Sequence, residues 1–331
     1  MYRRFPATAL LAAVLLSVCS GCTIGREIAR FHVTQGERAL EQQRLDAALA
    51  QFRQAVRLDP LYADGHFHLG LVYKQKGELE LAAESMQEAV RLDPTRTKPL
   101  IELAEVYRLL EKLTQAVRAY AMAVDLEPRN FDLRFRLATC YHQTGELDQA
   151  VDSYQAAIKL DPQNSFAKSN LGAALAAQGK HYEAIKAYKE SLECNEVQPV
   201  VLVNLATVYL NQERWEAAHR TLKVALELDP NLSYAHERLG YCLWREQACA
   251  AAAESYRKAI ELDEHNAAAH AGLGVVLMTE YLDKPAEVVL RDQAVEAWHR
   301  SLELKPDQPK LRELVEQYRP KADRPLLDVG T

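Results

Sequence analysis

Residues 147–162 read LDQAVDSYQAAIKLDP, and the fold follows from this stretch. Ala150, Tyr154 and Ala157 are spaced four and then three residues apart, which puts them on one face of an α-helix. Leu160-Asp161-Pro162 closes that helix, because proline fixes its own φ and turns the residue before it away from helical geometry. The closing tripeptide recurs as Leu58-Asp59-Pro60, Leu92-Asp93-Pro94, Leu126-Glu127-Pro128 and Leu228-Asp229-Pro230. The step is 34 residues or a multiple of it, with Cys194-Asn195-Glu196 as a degenerate copy and Leu262-Asp263-Glu264 in phase. Leu304-Lys305-Pro306 follows 42 residues later, which places an eight-residue insertion in the last copy.

With the proline, or its substitute, at position 32, the chain divides into eight repeats: 29–62, 63–96, 97–130, 131–164, 165–198, 199–232, 233–266 and 267–308. Position 20 is alanine in all of them, from Ala48 to Ala294, and position 8 is glycine or alanine, from Gly36 to Gly274. Position 24 is large throughout: Phe52, Met86, Tyr120, Tyr154, Tyr188, Leu222, Tyr256 and Trp298. Two small columns beside one large column predict two helices per repeat whose backbones approach closely, with the large side chain filling the space alongside. Gly77, Gly145 and Gly179, at position 15, mark where the first helix of a pair stops. The sparse use of glycine and proline, 13 of each in 331 residues, agrees with helix almost throughout.

On these columns the chain resembles the tetratricopeptide-repeat (TPR) proteins over about residues 27–306. The resemblance implies an all-α, right-handed superhelical solenoid of about eight helical hairpins, with a concave groove lined by the first helices. It also implies binding of peptides or partner domains in that groove. No repeat buries its apolar face alone, so neighbours must stack. Leu311, Leu314, Val315 and Tyr318 continue at helical spacing, and 309–319 is expected to form a capping helix. Residues 320–331 read as a disordered tail.

The N-terminus differs in kind. Tyr2-Arg3-Arg4 is a basic start, Ala7 to Val18 is an apolar run, and Cys19-Ser20-Gly21-Cys22 brings small residues up to a cysteine. That order is a secretory signal peptide over 1–21. Ser20-Gly21-Cys22 is similar to the lipobox of bacterial lipoproteins, with Cys19 where that family carries leucine. The resemblance implies acylation of Cys22, a short membrane tether over 22–28, and anchoring without a membrane span. Thr23 stands where aspartate marks inner-membrane retention in Gram-negative lipoproteins, so the expected location is the outer membrane, facing the periplasm.

Catalytic patterns are missing. His236-Glu237 begins like a zinc-protease motif, but Gly240 stands where the second histidine belongs, and Gly272-x-Gly274 lies within a helical pattern with no strand before it. The expectation is a protein that is no enzyme, with no cofactor and no metal. A net charge of −6 gives no footprint for nucleic acid. Cys140 and Cys242 share position 10 and read as packing residues, Cys194 and Cys249 take positions held by larger side chains elsewhere, and Cys242 with Cys249 is the only local candidate for a disulfide.

In the TPR family, positions 2, 5, 9 and 12 face the groove. Here the stripe is mixed and charged in repeats 2 to 4, with Phe135 its aromatic member in repeat 4, and becomes largely apolar from Phe166 onward. Val203, Leu210, Tyr234, Tyr241 and Trp244 give that part the composition of a binding hot spot. Asn170 and Asn204 both stand at position 6, where peptide-binding members hold ligand backbone with an asparagine ladder; an amide both donates and accepts. The expected partners are envelope proteins or peptide segments, with self-association an alternative occupant of the groove. The leading expectation is a binding scaffold or adaptor in the bacterial cell envelope. It resembles the outer-membrane repeat lipoproteins that pilot secretins for type IV pili or that dock cell-wall hydrolases. The alternatives are a carrier of a small apolar ligand or lipid in repeats 5 to 8, and a regulatory module of an envelope enzyme complex.

Overall fold

In the computed structural model, the described residues are 7–319 for the backbone and 24–319 for the side chains. Among them the chain is an all-α helical-repeat solenoid of seventeen helices without a strand. It forms two compact units, Met1–Pro162 and Gln163–Thr331. The first holds α1 (Ala7–Glu41), α2 (Leu45–Leu58), α3 (Ala63–Lys76), α4 (Leu79–Leu92), α5 (Thr97–Leu109), α6 (Leu113–Leu126), α7 (Phe131–Thr144) and α8 (Leu147–Leu160). The second holds α9 (Ser165–Ala177), α10 (His181–Cys194), α11 (Pro199–Asn211), α12 (Trp215–Leu228), α13 (Ser233–Arg245), α14 (Cys249–Leu262), α15 (Ala267–Asp283), α16 (Val288–Leu304) and α17 (Pro309–Tyr318).

Every position-20 alanine, from Ala48 to Ala294, is fully buried, because it lies where the two helices of a hairpin cross. The large residue at position 24 lies against position 8 of the same repeat. A methyl group added at Gly70 would come within 2.7 Å of Met86 Cγ, and one added at Gly172 within 2.8 Å of the Tyr188 ring. Repeats 3 and 4 accommodate alanine there, as Ala104 and Ala138, beside Tyr120 and Tyr154. Burying each of these large side chains contributes on the order of 1.5–3 kcal/mol, so the columns at 8, 20 and 24 carry much of the hairpin.

The first helix of most pairs ends in a left-handed residue. Gly77, Gly145 and Gly179 have φ of 79°, 81° and 76°. At the same position 15, repeats 1, 3, 6 and 7 place Gln43, Glu111, Glu213 and Gln247, at φ of 57–63°, in a conformation that crowds a Cβ. The turn is thus set by the packing of the two helices and imposed on whichever residue stands there.

The insertion in repeat 8 is helix more than loop. Compared with α9 and α10, the first helix gains four residues, the second gains three, and the connector gains one. Pro309–Tyr318 packs Leu311 and Val315 against Leu277 and Trp298, with the Tyr318 and Trp298 rings 6.4 Å apart. All four described cysteines are free, so Cys242 and Cys249 form no disulfide. Helix α1 runs unbroken through 22–28, so the segment expected to be a tether is helical backbone. Among the described residues no helix is long and apolar enough to cross a membrane. The Cys22 side chain, the first six residues and the tail 320–331 lie outside the described residues.

Candidate functional site

The exposed face of the first helices changes character along the chain. In repeats 2 to 4, position 6 is tied to the preceding repeat each time. His68 Nε2 lies 3.3 Å from Glu37. Burial pushes the His68 imidazole below its ordinary range, against the opposing pull of Glu37. Lys74 donates to Glu102 at 2.8 Å. Arg136 reaches back to Glu105, which also accepts from the Tyr120 hydroxyl and, at 3.2 Å, from Arg108. Burial pushes the Glu105 carboxyl up, but the hydrogen bonds from Tyr120 and Arg108 and the charge of Arg136 more than offset this and hold it below the usual carboxylate range.

Glu105, Arg108, Asp132, Phe135, Arg136 and Thr139 line a concavity of about 370 Å³. Phe135 forms its apolar wall, stacked on Phe131 and edge-on to Tyr154, with ring centroids 5.8 Å apart in both cases. The first unit therefore presents a charged face on which the position-6 side chains His68, Glu102 and Arg136 each pair with the preceding repeat.

The second unit is different. Its position-2 side chains are exposed and apolar: Phe166 at 68%, Val200 at 52% and Tyr234 at 38%. Asn170 is half-buried and Asn204 exposed. Neither amide forms a hydrogen bond among the described residues. The open face follows positions 2, 6, 9 and 13, as in Val200, Asn204, Thr207 and Asn211 or Tyr234, Arg238, Tyr241 and Arg245. That stripe is rotated from the expected 2-5-9-12 stripe, because Val203 and Glu237 at position 5 and Leu210 at position 12 turn inward.

One acid lies buried beneath this face. Glu237, at position 5 of repeat 7, is buried, and Arg238 stands 3.6 Å away. Burial raises its carboxyl pKa, and the Arg238 charge only partly opposes that.

A family model described as the cilia and flagella-associated protein 70 C-terminal domain matches residues 97–273, and a tetratricopeptide-repeat model matches residues 33–97. The chain is a tetratricopeptide-repeat protein. Over residues 97–273 it belongs to the family of that C-terminal domain. Comparison with curated proteins gives no match.

Among solved structures, a TPR protein from Parabacteroides merdae superposes with a TM-score of 0.61 at 18% identity, covering 77% of this chain and 98% of that one. A chain of the APC/C hetero-tetramer Cut9–Hcn1 gives a TM-score of 0.57 at 18% identity, covering 87% of this chain and 55% of that one. The MamA protein gives 0.48 at 25% identity, covering 51% and 93%. The first two show the TPR fold, an architecture used for protein–protein interaction and generally without catalysis of its own.

The residues expected to bind a partner in this TPR chain fall into four groups. Phe166, Asn170, Asn204 and Tyr234 offer surface on the open face. Val203 and Leu210 are buried, since positions 5 and 12 of α11 turn into the protein, so they serve packing. Tyr241 and Trp244 are half-buried in an aromatic cluster. The Tyr241 ring centroid lies 6.1 Å from Trp215 and 6.0 Å from Trp244, and the Trp244 indole donates to Thr279 Oγ1 at 3.3 Å. These two tie repeat 7 to repeats 6 and 8 as well as showing part of their surface. Phe135 belongs to the charged concavity of the first unit.

The TPR columns also conceal a second concavity, of about 550 Å³, between α14, α15 and α16. Arg257, His270, Glu296, His299, Arg300 and Glu303 stand in its wall beside Ile260, Leu273 and Leu277. It arises from three helices of two repeats, so no single stretch of sequence announces it.

Proposed function

We propose that this chain is a non-catalytic adaptor that holds an extended segment of a partner protein along the open face of repeats 5 to 7. The supporting observation is the contrast at position 6. His68, Glu102 and Arg136 are each engaged with the preceding repeat, whereas the amides of Asn170 and Asn204, one repeat apart, form no hydrogen bond among the described residues. An amide can accept from and donate to a peptide backbone at once. Phe166, Val200 and Tyr234 beside them supply apolar contacts for alternate side chains of the bound segment.

The setting proposed for this activity is the bacterial envelope, with the chain exported and anchored through an acylated Cys22. Because α1 continues through 22–28, Cys22 would stand on the order of 10 Å along the helix from Ala29. That spacing would hold the first repeat against the lipid surface. The type IV pilus and cell-wall-hydrolase lipoproteins remain the resemblance that suggests a pathway.

The test is a crosslinked capture from solubilised envelopes, comparing wild type with an Asn170→Ala, Asn204→Ala, Phe166→Ala triple variant. These side chains are exposed or half-buried, so the variant should keep its helical circular dichroism. Loss of a defined set of partners supports the adaptor. An unchanged set rules out this face, and capture of the chain itself alone indicates self-association. Envelope fractionation of Cys22→Ala tests the anchor independently: release from the membrane is expected, and unchanged retention refutes acyl anchoring.

A further inference from the structure

In the second unit, three metal-ligating side chains from two repeats converge where no motif predicts them. His219 projects from α12, Cys242 from α13, and Glu246 is the residue that caps α13. His219 Nδ1 lies 2.9 Å from Glu246 Oε2 and 3.3 Å from Oε1. Cys242 Sγ is 3.7 Å from Glu246 Oε1 and donates to the Trp215 carbonyl at 3.1 Å. One donor atom from each of the three residues falls within 4.8 Å of the other two. We propose that His219, Cys242 and Glu246 form a site for a divalent metal ion of the zinc class, clamping α12 of repeat 6 to α13 of repeat 7.

The donor set is one sulfur, one imidazole nitrogen and one carboxylate oxygen. Zinc takes each of these, with bonds of about 2.0–2.3 Å, and tetrahedral bonds of that length set ligand atoms about 3.3–3.8 Å apart. The observed separations need adjustments of about an ångström or less to reach that. Cys242 and Glu246 are four residues apart on one helix, so both face the same direction, while His219 closes the third corner from the neighbouring helix. Glu246 also stands at the carboxyl end of α13, where the helix dipole is negative and favours a cation. His219 and Glu246 keep about a quarter of their side-chain surface exposed, which gives an ion its way in, and Cys242 is buried beneath them.

Binding forms a sulfur–metal bond in place of the S–H bond and releases the thiol proton to solvent. Three protein ligands leave a fourth position for water or for a donor from a partner. The site stands beside the aromatic cluster of Trp215, Tyr241 and Trp244, so a bound ion would also stiffen the junction on which Tyr234 and Tyr241 are presented.

The experiment is titration of the full chain, under a non-thiol reductant, with Co(II) as a spectroscopic stand-in and then with Zn(II). One equivalent of Co(II) is expected to give a near-ultraviolet thiolate-to-cobalt band, which one equivalent of Zn(II) abolishes. Cys242→Ser should lose the band, and His219→Asn and Glu246→Gln should each weaken binding at least tenfold. Cys194→Ser and Cys249→Ser should leave it intact. No band in the wild type, or a band that survives Cys242→Ser, overturns the proposal. Should Cys242→Ser fail to fold by circular dichroism, His219→Asn, whose side chain is partly exposed, decides the question: unaltered affinity there refutes the site.

Discussion

Gln198 is latched to Ser191. Its amide nitrogen donates to the Ser191 carbonyl at 3.0 Å and hydroxyl at 3.2 Å, while the Ser191 hydroxyl donates to the Ser165 carbonyl at 2.8 Å. Gln308 and Ser301 repeat the arrangement, with Ser301 donating to the Ala267 carbonyl at 2.8 Å. These are the two repeats in which position 27 is serine, and in both the glutamine at position 34 precedes a proline that opens the next helix. Elsewhere position 27 is alanine, and position 34 in repeats 3, 4 and 7 is an asparagine that caps the next helix directly. The glutamine looks back at the helix just ended, where the asparagine looks forward to the one beginning. Ser191→Ala should therefore cost about 1–3 kcal/mol, since it removes the buried hydroxyl that accepts from Gln198 and donates to Ser165, at about 0.5–1.5 kcal/mol for each hydrogen bond, while the Gln198 amide keeps the Ser191 and Asn195 carbonyls. Combined with Gln198→Asn, the loss should be less than additive. Urea unfolding of the two singles and the double variant measures the coupling.

The contact between positions 8 and 24 predicts unequal costs for the same substitution. Alanine at Gly172 meets the Tyr188 ring first, at 2.8 Å, and Ala138 beside Tyr154 shows that such a ring can be accommodated. Alanine at Gly274 also meets the Ala294 backbone carbonyl, at 2.8 Å, and faces the fully buried Trp298. Gly274→Ala should destabilise the second unit by about 1–3 kcal/mol, and Gly172→Ala by clearly less. Comparable midpoints for the two variants would contradict this account of the packing.

Glu111, Glu213 and Gln247 hold a conformation that costs a side chain about 1–2 kcal/mol, partly offset by the greater freedom glycine has when unfolded. Glu111→Gly should raise stability by up to about 1 kcal/mol. The control is Ala119→Gly inside α6, where the backbone is helical and the same new residue should be destabilising. Thermal melts of the two variants should move in opposite directions.

Glu237 makes stability depend on pH with a definite sign. Its folded pKa lies above the ordinary 4.5, chiefly through burial, so the folded state holds this proton more tightly than the unfolded one. The favourable contribution is complete below pH 4.5 and is lost as the pH rises through the folded value. Glu237→Gln should therefore melt higher than wild type at about pH 7, and the gap should close as the pH falls below 4.5. A gap independent of pH would show that Glu237 is not the titrating group.

Much of this was legible in the sequence, and the rest was not for identifiable reasons. The period, the helix ends and the columns at 8, 20 and 24 are local, and each repeats often enough for Leu160-Asp161-Pro162 or Ala150 to identify its place. Which side of a first helix remains open is a property of stacking. Val203 and Asn204 are neighbours in sequence, yet one is buried and the other exposed, and only the approach of the next repeat decides between them. The pairs Lys74–Glu102 and Glu105–Arg136 join residues 28 and 31 apart, and one reverses the order of its charges relative to the other, so no fixed motif exposes them. The cluster of His219, Cys242 and Glu246 is hidden in the same way.

The paired charges of the first unit have a mechanical meaning. Lys74–Glu102 and Arg136–Glu105 are links between adjacent turns of a spring, and their side chains are partly open to water. Dissolved salt screens such links and loosens the coil in that unit. Ionic strength thus sets how stiffly repeats 2 to 4 resist a pull.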